Sequence, residues 1–184
     1  EDVTRQKQLE AQLIQLAERD PLTNLYNRRR FHEEIDRIIA DASRRKAHAG
    51  LLAIDLDGFK PINDEYGHQA GDTVLIRLAE EVGATVRRNE IFFRVGGDEF
   101  AILAPDADEE EMVGLARRVG GKIADMRFVF GGREVQLTAS LGIALYPTHA
   151  TSSEEIIARA DSAMYQAKLS GKNRWAVFGS AKLH

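Results

Sequence analysis

The sequence predicts an α+β fold. It is a ferredoxin-like, palm-type antiparallel sheet with a β-α-β-β-α-β core, flanking helices on one face and an N-terminal stalk helix. Three observations lead there. Short apolar runs of strand length alternate with longer stretches whose apolar residues recur every three or four positions. Two of those runs, at 91–95 and 100–103, are separated by little more than Gly96-Gly97-Asp98, which reads as a hairpin turn between antiparallel neighbours. The run Leu51-Leu52-Ala53-Ile54 comes before that hairpin with a helical pattern between them, which is the opening of a β-α-β-β unit.

Taken in order, residues 1–19 are charged and rich in glutamine, with Val3, Leu9, Leu13 and Leu16 spaced by about three and four, as on the edge of a two-stranded coiled coil. The same stretch also reads as a solvated helix that frays. As a stalk it would join an upstream sensor to a domain spanning 20–180. Asp20-Pro21 breaks it. A second helix starts after Asn27, a good cap, buries Phe31, Ile35, Ile38, Ile39 and Ala42, and closes at Arg44-Arg45-Lys46, where positive charge suits the helix dipole. A strand at 51–55 leads into a loop, and a helix follows over 73–87 with Val74, Leu75, Leu78, Ala79, Val82 and Val86 inward. After the hairpin at 91–104, a helix over 109–126 turns Met112, Leu115, Ala116, Val119 and Ile123 to the core. Strands at 128–130 and 135–145 flank a Gly131-Gly132 turn. Ser152 with Glu155 forms a capping box for a helix that ends at Gly171, and a strand over 175–178 comes last.

Composition excludes several classes. The chain has 184 residues, 43% of them hydrophobic, enough for one cored domain with a short appendage. It has no cysteine, which removes disulfides, thiolate metal sites and cysteine nucleophiles and is compatible with the cytoplasm. No apolar run approaches the roughly 20 residues of a membrane span, so no membrane contact is expected from this segment, although a longer protein could be anchored. Glu1 in place of methionine reads as a piece cut from a longer chain. The net charge of −4 argues against a nucleic-acid polymer as partner, because phosphate backbones demand a basic face.

Candidate chemistry gathers at the hairpin. Gly96-Gly97-Asp98-Glu99-Phe100 places two adjacent carboxylates on a tight bend whose glycines let a ligand approach the backbone, and hard oxygen ligands suit magnesium. Read alone, it is more readily a solvated acidic turn. Asp55 ends the first strand, and if that strand neighbours the hairpin the carboxylates converge, an arrangement that repels itself without a cation between. His68 reads as structural, and Arg28 and Asp20 as structural or coupling positions near the stalk.

These blocks, in this order, resemble the GGDEF domain family, the diguanylate cyclases. The similarity runs over roughly residues 20–178, through Asp20-Pro21-Leu22-Thr23, Asn27-Arg28-Arg29, Asp55-Leu56-Asp57-Gly58-Phe59-Lys60, Asn63 to Asp72, Ser140-Leu141-Gly142, Ala163 to Lys168, and Gly171 to Arg174. The resemblance implies that two GTP become cyclic di-GMP and two pyrophosphates across a homodimer, each 3′-hydroxyl attacking the partner's α-phosphorus. It implies catalytic Asp55, Asp98 and Glu99. The metal set would be Asp55, Asp98, Glu99 and the Leu56 carbonyl, holding two Mg2+, with Mn2+ a possible substitute. Asn63 and Asp72 would read guanine, whose donor pair a carboxylate can accept. Phe59 and Lys60 through their backbone N–H groups, Lys168 and Lys172 through their charge, and Gly96 and Gly97 would complete the substrate site.

Each residue has a plainer reading. Asp72 also reads as a helix N-cap, and the two lysines as cations at a helix terminus. The family's product-inhibition motif is Arg-x-x-Asp. Here it is Arg87-Arg88-Asn89-Glu90, so Arg87 is kept and the acid, Glu90, is one methylene longer, which puts inhibition by cyclic di-GMP in doubt. Two other functions stay in view: a non-catalytic module that binds GTP or cyclic di-GMP, and another palm-type nucleotidyl transferase. The intact Gly96–Phe100 motif with Asp55, Asn63 and Asp72 speaks against the first, and the acidic balance against the second.

Overall fold

A computed structural model of the chain describes residues 2–180; Glu1 lies outside them. The elements are α1 (Asp2–Glu18), α2 (Arg28–Arg45), β1 (Ala49–Asp57), α3 (Phe59–Tyr66), α4 (His68–Gly83), β2 (Ile91–Arg94), β3 (Glu99–Pro105), α5 (Glu109–Asp125), β4 (Phe128–Phe130), β5 (Arg133–Val135), β6 (Thr138–Tyr146), α6 (Ser153–Leu169) and β7 (Arg174–Val177). β1 lies at the centre of a five-stranded sheet ordered β2-β3-β1-β6-β7. It pairs antiparallel with β3 and with β6, while β7 joins the edge parallel to β6. The α+β, palm-type architecture is therefore as expected.

The helices cover both faces of the sheet rather than one, and β1 explains why. Its apolar run does not alternate, so it has no polar face to leave in water. Leu52, Ile54 and Leu56 pack with Val74, Leu78, Leu115 and Val119 of α4 and α5. Leu51 and Ala53 pack with Phe31, Ile35 and Ile38 of α2 and Ile156 and Ala160 of α6. Leu52 is fully buried, and Leu52→Ala would cost about 2–5 kcal/mol in transfer and cavity terms.

Several boundaries differ from the expectation. The loop after β1 holds a helix, α3. Pro61 occupies its first turn, where no backbone donor is needed. α4 begins at His68, so Asp72 lies inside the helix and Gly67, not Asp72, is the capping position. The expected strand over 135–145 divides into β5, paired with β4 in a separate hairpin, and β6. Ser152 caps α6 by accepting the Glu155 N–H, but Glu155 reaches back to the Thr151 N–H rather than to Ser152, so the box is half formed.

α1 buries none of its residues; Val3, Leu9, Leu13, Ile14 and Leu16 are exposed. Its end is nevertheless fastened to the domain. The Asn27 side-chain amide donates to the Ala17 carbonyl at 3.1 Å, and Arg30 pairs with Glu18 at 2.6 Å. No helix among the described residues is long and apolar enough to cross a membrane.

Candidate functional site

The candidate site lies where β1 and β3 come level. Asp55 is opposite Glu99 in the antiparallel register, and the Leu56 N–H donates to the Asp98 carbonyl at 3.2 Å, tethering the hairpin tip to the central strand. Asp55, Asp98 and Glu99 each offer a carboxylate oxygen, and all three oxygens lie within 4.8 Å of one another. The expected convergence is therefore present. The donor set is hard, anionic and tight, which fits a divalent cation of the magnesium type.

The electrostatics agree with that fit. Burial pushes the Asp55 carboxyl above its ordinary pKa, Lys168 pulls it back, and Asp98 and Asp57 push it up again. Partial burial also raises Glu99, with Asp55, Asp161 and Asp98 adding to the effect and Arg28 opposing it. Negative charge is thus left in excess at this corner. The Lys168 ammonium, from the last turn of α6, sits 2.8 Å from Asp55 Oδ2 and 3.7 Å from Asp57 Oδ1. Burial works against its charge, but Asp55, with Asp57 and Asp98, more than offsets this and holds its pKa above the usual value. Lys168 is therefore not a solvated cation at a helix end.

The turn itself is held by a residue that sequence reasoning passed over inside an apolar run, Arg94. Its guanidinium donates to the Gly96 carbonyl at 3.1 Å and the Gly97 carbonyl at 2.8 Å, and to both oxygens of Asp20 at 3.1 and 3.2 Å. Asp20 also accepts the Thr23 N–H at 2.9 Å and hydroxyl at 2.7 Å. A chain of hydrogen bonds thus links the base of α1 to the turn carrying Asp98. Neither Gly96 nor Gly97 is left-handed; at Gly96 a β-carbon would come within 3.2 Å of the Glu99 carboxylate, so the glycine makes room.

Asp57 was also missed as more than part of a motif. It is buried, and it accepts from the Thr138 hydroxyl and the Ser140 hydroxyl at 2.8 Å each and from the Asn173 N–H at 3.0 Å. It pins the turn after α6 to the sheet beneath Lys168. Lys172, in that turn, has a left-handed backbone (φ 64) and an exposed side chain.

The other expected residues lie on α3 and α4. Gly58, with φ 81, turns the chain out of β1, and no side chain caps α3 behind it, so the N–H groups of Phe59 and Lys60 begin a helix at its positive end. The Phe59 ring is in the core, which leaves only its backbone for a ligand. Asn63 on α3 packs onto Gly71 of α4; a β-carbon at Gly71 would overlap the Asn63 amide. Asp72 follows on α4, exposed. Behind Glu99, Arg28, His32 and Asp161 line a cavity of about 90 Å³ between α2 and α6.

Arg87 and Glu90 belong to a separate turn between α4 and β2. Glu90 accepts the Arg87 N–H at 2.7 Å and pairs with Arg118 of α5 at 2.6 Å. The longer acid is thus engaged by the protein itself, while the Arg87 side chain is exposed.

Comparison with known proteins agrees with these motifs. A family profile described as diguanylate cyclase, GGDEF domain, matches residues 17–174. The chain is 39% identical over 170 residues to the bifunctional diguanylate cyclase/cyclic di-GMP phosphodiesterase MucR of Pseudomonas aeruginosa, covering 92% of this chain and 25% of that protein. It is 34% identical over 178 residues to the probable diguanylate cyclase DgcE of Escherichia coli, covering 97% of this chain and 16% of that one. It thus spans a quarter or less of the length of these two relatives. The crystal structure of the coiled coil and GGDEF domain of DgcB from Caulobacter crescentus, in complex with c-di-GMP, superposes with a TM-score of 0.89 at 29% identity, covering 96% of this chain and 93% of that one.

Proposed function

The chain belongs to the GGDEF family of diguanylate cyclases, and from that membership we propose that it condenses two GTP into cyclic di-GMP with release of two pyrophosphates. The observation that carries the proposal is the convergence of Asp55, Asp98 and Glu99 within 4.8 Å, with Lys168 alongside. Two Mg2+ held by these carboxylates and the Leu56 carbonyl would neutralise phosphate charge and acidify the 3′-hydroxyl. The chain's own residues do the rest. Asp72 accepts the two donors of guanine that adenine lacks, and Asn63, fixed against Gly71, complements the same base. The Phe59 and Lys60 N–H groups, with Lys168 and Lys172, receive the phosphates. Gly96 and Gly97 keep the turn open to the nucleotide.

One domain holds one GTP, so ring closure needs two domains face to face. The dimer contributes orientation, which accounts for a large share of the barrier in such reactions. The exposed apolar residues of α1 are the natural seam for that pairing, with an upstream sensor setting the arrangement of the stalks in the cytoplasm. Arg87 and Glu90 are the proposed contact for product inhibition by cyclic di-GMP.

The test is incubation of the protein with GTP and Mg2+ over a range of protein concentrations, with products identified by mass. Cyclic di-GMP and pyrophosphate, formed at a rate per chain that rises with concentration, are expected. A folded protein that yields no product but is stabilised against melting by cyclic di-GMP alone would be a regulatory module instead.

A further inference from the structure

The two aspartates next to Lys168 differ in kind. Asp57 is buried, and both its oxygens are engaged by Thr138, Ser140 and Asn173, so it has little left to offer a metal and stands outside the carboxylate cluster. Asp55 belongs to the cluster, and the Lys168 ammonium, 2.8 Å away, is its hydrogen-bonding partner. From Asp57 the ammonium is only 3.7 Å away. A lysine placed so can stay with Asp57 and let go of Asp55.

We propose that Lys168 is a resident counter-cation of the nucleotide-free site: it occupies Asp55, keeps the three carboxylates from taking a divalent cation by themselves, and releases Asp55 when the phosphates of GTP arrive to take the ammonium. Asp57 holds the lysine within reach of both positions. The inference rests on the metal site proposed above.

The physical reason is competition for one carboxylate. A divalent cation bound to Asp55 would sit at about 2.0–2.1 Å from oxygen. An ammonium left 2.8 Å from the same carboxylate would repel it across a short, partly buried gap. A triphosphate removes the conflict, because it brings its own negative charge for the ammonium. Metal and nucleotide should therefore enter together, and the free protein should be a poor metal binder despite its three converging acids.

The test is Mn2+ binding by the nucleotide-free protein, read from the electron paramagnetic resonance of free Mn2+. Lys168→Met is expected to bind roughly tenfold or more tightly than the unaltered protein, and Lys168→Arg, which keeps the charge, to stay close to it. With a non-hydrolysable GTP analogue present, the advantage of Lys168→Met should vanish. Asp55→Asn should lose binding in either background. If Lys168→Met binds no more tightly while Asp55→Asn still loses the metal, the counter-cation role is wrong and the metal site stands. If Asp55→Asn makes no difference in the Lys168→Met protein or with the analogue present, the metal site fails and the inference with it.

Discussion

Two aspartates lie on either side of the same turn, and the protein treats them in opposite ways. Asp20, at the base of α1, accepts from Thr23 and Arg94. Burial alone would raise its pKa, but those bonds outweigh burial and hold it below the ordinary value. Asp55, at the end of β1, is raised by burial and by its acidic neighbours in spite of Lys168. One carboxylate is neutralised and holds the structure together. The other sits in an acidic cluster that its lysine partner only partly offsets, with its pKa held up. Among residues of the same type, the balance of surrounding charge separates support from chemistry.

The largest effect that could break this contrast is at Asp55. Asp55→Asn should reduce GTP turnover by roughly a thousandfold or more if Asp55 holds the metal as proposed. It should not lower the melting temperature of the metal-free protein at neutral pH. The pKa of Asp55 is raised on folding, so its stabilising contribution is present when it is protonated and is lost as pH rises through the folded value. The melting difference between the variant and the unaltered protein should therefore shift in favour of the variant across the carboxylate range. A variant that melts markedly lower at neutral pH would contradict the excess-charge reading.

Asp20→Asn should do the reverse. The charge-assisted bonds from Arg94 are each worth about 1.5–3 kcal/mol, so stability should fall on that order. Its pKa is lowered on folding, so its contribution is present above the unfolded value and lost as pH falls through the folded one. Turnover should drop roughly tenfold, through a loosened turn rather than a lost ligand. Full turnover with unchanged melting would show that the Asp20–Arg94 link positions nothing. A comparable effect is expected on nucleotide choice. Asp72→Ala should cut the preference for GTP over ATP by about ten- to a hundredfold, measured as a ratio of kcat/KM.

The smallest effect sharpens the contrast at a third acid. Glu90 is satisfied by Arg118 and by the Arg87 N–H, as Asp20 is by Arg94. Glu90→Asp would withdraw from Arg118 and change the affinity for cyclic di-GMP, read by calorimetry, by less than about tenfold.

Much of this was legible in the residues. The helices α2 and α5 announce themselves by apolar spacing, and every residue expected on their inner faces is buried. Asp55, Asp98 and Glu99 were expected together because a hairpin and a strand-end acid in a β-α-β-β order have few other places to go. What could not be read depends on contacts distant in sequence. Arg94 reaches Asp20 across 74 positions, and Asp57 reaches Asn173 across 116; no local pattern reports either. α3 has only eight residues between Gly58 and Gly67, too few for an apolar period to show. Cover on both faces of the sheet was in fact signalled by the unbroken apolar run of β1.

The most direct test of the account is GTP turnover by the unaltered protein and by Asp98→Ala, measured side by side at high protein concentration with Mg2+, with the fold of both checked by melting. Cyclic di-GMP and pyrophosphate are expected from the first and none from a folded second. Comparable cyclic di-GMP from a folded Asp98→Ala protein would contradict it.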